Sequence, residues 1–137
     1  MESTSSLQPV VAVLKAALPG LLACYLFGSV SRGDARPDSD LDLAVLLGPG
    51  GKIPNFLTLV AQLSEVAGRQ VDLVDLRRAG DFLRMEVLRE GRQLYVADAA
   101  RVLAWEGESM SDYAAHRERI RDLLDGVQRT GVGYAPR

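Results

Sequence analysis

Apolar runs separated by glycine and proline divide the first half of the chain into elements. Residues 7–18 carry apolar positions at helical spacing with a proline in the first turn, which predicts a helix that a proline–glycine pair ends. The continuous apolar run 21–27 predicts a strand buried on both faces, and residues 41–47 predict a second strand. The polar stretch 28–40 between these strands has few residues that could enter a core.

The second half of the chain continues this alternation. The pattern predicts, in order, a helix over 54–68, a strand over 71–76, a helix over 80–90, a short extended piece over 93–97 and a long helix over 98–127. Asp98 is a suitable N-cap for the last helix, and we expect a frayed tail over 130–137. The glycines of the loop 48–52 lack the spacing of a P-loop.

These elements predict an α/β (α+β) fold, in which helices flank a small mixed β-sheet. We expect residues 1–97 to form the core. Residues 98–137 would add a C-terminal helix and tail to the same domain, with a possible partner surface.

Composition narrows the class of protein. The 137 residues are 47% hydrophobic and 25% charged, an ordinary balance for a globular domain. The formal charge of −2 provides no basic footprint, so we expect no direct nucleic-acid binding. Cys24 is the only cysteine, and no apolar run approaches the roughly 18 residues of a membrane span. We therefore expect a cytoplasmic protein with no membrane association.

The chemistry begins where the first strand ends, in the segment GSVSRGDARPDSDLD. Gly28 allows a sharp turn and a close approach of a ligand to the backbone. A short helix starting there would direct free N–H groups toward a phosphate, and Ser29 would add a hydroxyl donor. Arg32 is equally suited to contact a triphosphate or to pair with Asp34 or Asp38.

Paired carboxylates follow. Asp40 and Asp42 are two residues apart, so on a strand they share a face, roughly 6–7 Å apart. Mg²⁺ would offset their repulsion, and two ions about 3.5–4 Å apart could serve a phosphoryl-transfer site. The strand VDLVDL offers a third acid. Asp72 and Asp75 face opposite ways, and we favour Asp72 because it lies deeper in the apolar run.

Together these residues resemble the minimal nucleotidyltransferase family of the DNA polymerase β-like superfamily, over roughly residues 7–97. The shared pattern is a glycine–serine pair, a later glycine and serine–aspartate–x–aspartate–leucine, here Gly28, Ser29, Gly33, Ser39, Asp40, Leu41 and Asp42, with Arg32 at the commonly basic position. The resemblance implies a polymerase β-like core that takes ATP. It assigns nucleotide binding to Gly28, Ser29, Arg32, Gly33 and Ser39, and catalysis with two Mg²⁺ ions to Asp40, Asp42 and Asp72.

Small stand-alone members of that family are similar to this chain in length and carry a GRxLY-like segment, here Gly91 to Tyr95. Many are antitoxins paired with a HEPN-domain ribonuclease toxin. This resemblance implies transfer of AMP from ATP to a tyrosine of the toxin, which neutralises it. Two alternatives remain: an aminoglycoside-type small-molecule adenylyltransferase, for which the chain is short, and a non-catalytic antitoxin that acts by binding.

Three residues of the last predicted helix have no predicted catalytic role. His116, the only histidine, is expected to be a solvated surface residue in a charged segment. Trp105 and Tyr113 fit core packing and a partner surface equally well.

Overall fold

Helices and strands alternate along the chain in a computed structural model that describes residues 4–33, 36 and 39–130. A 3₁₀ turn (Thr4–Leu7) precedes the first helix. The elements are α1 (Gln8–Ala17), β1 (Leu21–Phe27), α2 (Gly28–Arg32), β2 (Leu41–Leu47), α3 (Phe56–Ala67), β3 (Val71–Asp75), α4 (Asp81–Glu90), β4 (Arg92–Val96) and α5 (Ala99–Thr130). Among the described residues, no helix combines the length and the apolar character needed to cross a bilayer.

The four strands form one mixed sheet in the order β3-β2-β1-β4. β1 is antiparallel to both of its neighbours, whereas β2 and β3 are parallel. A parallel pair needs a crossover connection, and α3 provides it. The predicted fold class, a small mixed sheet flanked by helices, is confirmed. The short extended piece predicted at 93–97 is an edge strand of this sheet.

The sheet is covered on both faces, and each face has its own apolar cluster. On the first face, α1 and α3 pack against alternate strand residues, with Leu14, Leu43 and Leu63 fully buried. On the second face, α4 and α5 supply Val87 and Trp105 to the cluster. Every residue of β1 is buried, as its continuous apolar run predicts.

Two helix boundaries differ from the predictions. α3 begins at Phe56 rather than at Pro54, because Asn55 adopts a left-handed conformation (φ 49°) that is incompatible with a helix. α5 runs without a break through Gly107 and extends to Thr130. Asp98 caps it as predicted, since its carboxylate accepts a hydrogen bond of 3.2 Å from the Arg101 N–H. The tail expected to fray after Thr130 lies outside the described residues.

The packing of α5 shows where the three residues left open or expected at the surface lie. Trp105 is buried in the core of the second face, and Tyr113 packs edge-to-face on Phe82 with ring centres 5.4 Å apart. His116 is partly exposed at the surface, as predicted, but it also has a partner in the protein. Its Nδ1 lies 3.0 Å from Asp81 Oδ2, because the turn of α5 that carries it passes over the start of α4.

Candidate active site

The geometry of the site starts at Gly28, the first residue after β1. Its φ of +77° lies in the left-handed region that favours glycine. Phe27 pairs with Asp42 across the antiparallel strands, which brings the next residue close to that side chain. A Cβ added at Gly28 would lie 2.1 Å from Asp42 Oδ2. The glycine is therefore required both by the turn and by the close carboxylate.

Asp42 and Asp72 stand directly opposite each other on the parallel strands β2 and β3. Strand alternation places them on the second face, with Ala44 and Val74. Burial is the largest cause of the raised pKa of Asp42, and the negative charge of Asp72 across the strand pair is the next. The structure thus brings together two acids that are 30 positions apart in the sequence.

Asp75, the alternative third acid, has a different environment. Its carboxylate accepts a hydrogen bond of 3.0 Å from the Arg77 N–H and lies 3.8 Å from Arg78 Nε. The reason for preferring Asp72 was wrong in one respect, since Asp72 is exposed rather than deep in the core. Its position opposite Asp42 distinguishes it from Asp75.

Burial is the largest cause that raises the pKa of Asp42, followed by the negative charges around it. Asp72 is the strongest of these neighbours, and Asp40 and Glu86 add to it. Asp40 is exposed and immediately precedes β2, so the strand brings only Asp42 into the sheet. Glu86 comes from α4 and was missed in the sequence, because only the packing of α4 on the second face brings it to this end of the sheet.

The donor set fits a magnesium ion in its chemistry. In the described part of the chain, no ion pair joins a basic side chain to Asp40, Asp42 or Asp72, so their charges are left to repel. As placed, no three acidic, imidazole or thiol groups among the described residues enclose one point. Mg²⁺ uses one or two protein carboxylates and completes its shell with water and substrate phosphates, so a closed protein cage is not needed.

The remaining predicted site residues shape the segment between β1 and β2. Gly33 ends α2 at φ 81° and donates its N–H to carbonyls of the preceding turn. Ser39 Oγ accepts a hydrogen bond of 2.8 Å from the Arg36 N–H. Ser29 is half-buried in the first turn of α2, next to Gly28.

Arg32 has a partner that the sequence did not predict. Its Nη1 lies 3.2 Å from Glu90 Oε2, at the end of α4. The two candidate partners, Asp34 and Asp38, lie outside the described residues. The ion pair joins α2 to α4 next to the carboxylates.

Comparisons with known proteins identify the family. Residues 10–100 match the family described as Polymerase beta, Nucleotidyltransferase. Protein adenylyltransferase MntA of Shewanella oneidensis is 36% identical over 88 residues, which are 63% of this chain and 62% of that protein. The match therefore spans less than two thirds of the relative's length.

Solved structures extend the likeness to nearly the whole chain. A crystal structure described as a toxin–antitoxin with AMP-PNP contains a chain that aligns with a TM-score of 0.76 and 29% identity, over 93% of this chain and 99% of that chain. A complex of a tri-AMPylated Shewanella oneidensis HEPN toxin with an MNT antitoxin gives a TM-score of 0.73 and 26% identity, over 92% and 99%. With the family match covering more than half of its residues, the chain belongs to the polymerase beta nucleotidyltransferase family.

Proposed function

We propose that this chain is a Mg²⁺-dependent protein adenylyltransferase. It transfers AMP from ATP to a tyrosine hydroxyl of a partner HEPN ribonuclease toxin in the cytoplasm. This modification neutralises the toxin, so the chain acts as the antitoxin. The observation that carries the proposal is the Asp42–Asp72 pair, in register on parallel strands beside the left-handed Gly28. The protein adenylyltransferase name of the relative and the toxin–antitoxin complexes among the similar structures support the choice of acceptor.

Asp40, Asp42 and Asp72 would hold two Mg²⁺ ions. When bound, Mg²⁺ offsets the negative charge of the triphosphate and of the departing pyrophosphate. Without such a cation the three acids would repel the triphosphate as well as one another, so the donor set itself favours metal-loaded ATP.

The chain's own groups bind and orient the reactants. Gly28 lets the triphosphate approach the backbone, and the Ser29 hydroxyl can donate to a phosphate oxygen. Arg32 supplies a positive charge at the end of α2, Gly33 ends that helix, and the Ser39 hydroxyl bonds the Arg36 N–H.

The reaction is in-line displacement at the α-phosphorus. The acceptor oxygen forms a bond to that phosphorus, the bond to the bridging oxygen breaks, and pyrophosphate leaves with its electron pair. Asp72 is the group that accepts the hydroxyl proton, because it is exposed at the mouth of the site whereas Asp42 is half-buried behind it.

A transfer assay tests the proposal. The chain is incubated with Mg²⁺, ATP radiolabelled at the α-phosphate and the purified HEPN-domain protein of the same genome. We expect label on that protein and a mass increase of one or more adenylyl groups, both lost when the metal is chelated. Label on an aminoglycoside and none on the HEPN protein would support the small-molecule alternative instead.

Two aspartates of β3 provide a matched pair of variants. Asp72→Asn should lower transfer by about 100-fold or more, as expected when a group that acts in the transition state is lost. Asp75→Asn should retain transfer, since that carboxylate binds the Arg77 N–H. Neutralisation of the toxin in cells by a variant lacking Asp40, Asp42 and Asp72 would show that binding alone suffices and would overturn the catalytic proposal.

A further inference from the structure

One face of α5 changes from buried to exposed along its length. Val102, Trp105 and Ser109 are buried against the body of the protein. Ile120 follows Val102 by 18 residues, which is five full turns, so it has the same angular position. It is nevertheless 39% exposed, because α4 packs on α5 only as far as the Asp81–His116 contact. The part of α5 after His116 extends beyond α4.

This exposed part of the face forms a wall of a groove of about 490 Å³ between α4 and α5. Its apolar lining comes from Phe82 on α4 and from Tyr113, Ile120 and Leu124 on α5. Phe82 is 52% exposed and Leu124 is 56% exposed. Large apolar side chains gathered in one open groove are typical of a binding surface rather than of scattered surface residues.

Charged residues line the same groove with an excess of positive charge. Arg117 and Arg121 contribute two guanidinium groups against the single carboxylate of Asp125. The guanidinium carbon of Arg117 lies 5.8 Å from the centre of the Tyr113 ring, so its charge is held over the apolar lining. The groove is therefore complementary to an apolar segment that carries acidic residues.

α4 connects this groove to the acidic site. Phe82 lines the groove, and Glu86 contributes negative charge at Asp42. Residues four apart on a helix are neighbours on one face, with Cβ atoms about 5–6 Å apart. A macromolecule seated on Phe82 is therefore about one turn of α4 from Glu86.

We propose that the α4–α5 groove docks a helix of the acceptor protein, with apolar residues at i and i+4 spacing flanked by acidic residues. The inference rests on the proposed function, and it identifies how the acceptor hydroxyl is brought to the site. An amphipathic helix in a groove between helices is a common mode of recognition. A second copy fits less well, because an isologous contact would place two guanidinium groups from each chain in the interface against one carboxylate from each.

Neighbouring leucines on α5 give a matched test. Leu124 lines the groove, whereas Leu123, with a similar exposure of 52%, does not. Binding of the purified HEPN-domain protein of the same genome is measured by titration calorimetry, and AMP transfer by label. We expect Leu124→Glu to weaken binding at least about tenfold and to raise the KM for the HEPN protein without changing the rate at saturation. Leu123→Glu should bind within about twofold of wild type.

A second pair of variants tests the role of positive charge in the groove. Arg121→Glu should weaken binding, while Arg119→Glu, which changes the same charge outside the groove lining, should not. Thermal unfolding checks that all four variants remain folded, and none of these residues contacts the nucleotide site, so ATP binding should be unchanged in each.

The outcomes separate this inference from the proposed function. If wild type labels the HEPN protein and the Leu124 and Leu123 variants label it equally, the docking groove is wrong while the adenylyltransferase stands. If wild type binds the HEPN protein through Leu124 but transfers no AMP, the groove stands and the catalytic proposal fails. A wild-type dimer in sedimentation that Leu124→Glu dissociates would identify a second copy as the occupant and overturn the inference.

Discussion

The two faces of the sheet are formed by the same strands but differ in the side chains at their edges. The first face is covered by α1 and α3, and its cluster is apolar throughout. The second face is covered by α4 and α5, and at the start of β2 its apolar cluster gives way to carboxylates. Leu43 is fully buried on the first face, while its neighbour Asp42 is half-buried on the second.

The comparison shows that the same alternation can serve stability on one face and chemistry on the other. Where helices cover the strands, burial of apolar surface stabilises the fold. Where the cover stops, Asp42 is held against Asp72, Asp40 and Glu86, and the raised pKa of Asp42 shows that this arrangement opposes folding. We therefore expect substitutions on the two faces to change stability and activity in opposite ways.

The largest effect is expected from Asp42→Asn. Transfer should fall by about 100- to 1,000-fold, because an electrostatic group at the reacting centre is lost. The free energy of unfolding at neutral pH should stay the same or rise, since the amide removes a repelled charge. Any gain should shrink as the pH falls through the raised pKa of Asp42, where the wild-type carboxyl is protonated as well. Label transfer and urea denaturation at several pH values measure both; a clear loss of stability at neutral pH would contradict the expectation.

Leu63→Ala on the first face should lower stability and leave activity nearly unchanged. It leaves a cavity at a fully buried position of α3 and should lower the free energy of unfolding by about 2–5 kcal/mol. Transfer per folded molecule should be nearly unchanged at a temperature where the variant is folded. A large loss of activity in a folded Leu63→Ala protein would mean that the two faces are not independent.

Gly28→Ala should affect both properties. The left-handed backbone conformation costs about 1–2 kcal/mol with a Cβ, and that atom would also displace the Asp42 carboxylate. Gly50→Ala is the matched control, because Gly50 has the same φ of 77° but nothing within 4 Å of an added Cβ. Both variants should lose similar stability in denaturant titrations, and only Gly28→Ala should lose transfer. Equal transfer by the two would contradict a role for this glycine at the site.

The smallest effect concerns the contact that joins α4 to α5. The hydrogen bond from His116, followed by the one from Arg84, lowers the pKa of Asp81 below its ordinary value of 3.8. A lowered carboxyl pKa stabilises the fold above the unfolded value, and this contribution is lost as the pH falls through the folded value. His116→Ala should therefore reduce stability at neutral pH, and its difference from wild type should shrink below about pH 4. A difference that stays constant across this range would exclude the linkage.

Several features followed from local pattern alone. The seven apolar residues of β1 predicted a strand buried on both faces, and the spacing of Asp40, Asp42 and Ser39 around a polar turn predicted an acidic site. Such features depend on neighbours in the chain, where the period of a strand and the preferences of turn residues apply.

Other features escaped prediction because they depend on how distant elements pack. Glu86 and Glu90 appeared as ordinary charged residues of a helix, and only the placement of α4 brings one to Asp42 and the other to Arg32. α4 buries only Val87 completely, so its sequence shows little of which face meets the sheet. The partner of His116 escaped prediction for the same reason, since it lies 35 positions away.

The sequence by itself determined that Asp42 shares a face with Ala44, and that a glycine begins the turn after β1, because strand alternation and left-handed backbone are local properties. Only the tertiary structure decided that Asp72 stands opposite Asp42 and that Asp75 does not. That pairing depends on the register of two parallel strands joined through α3, and register is set by burial of the whole strand face rather than by any single residue.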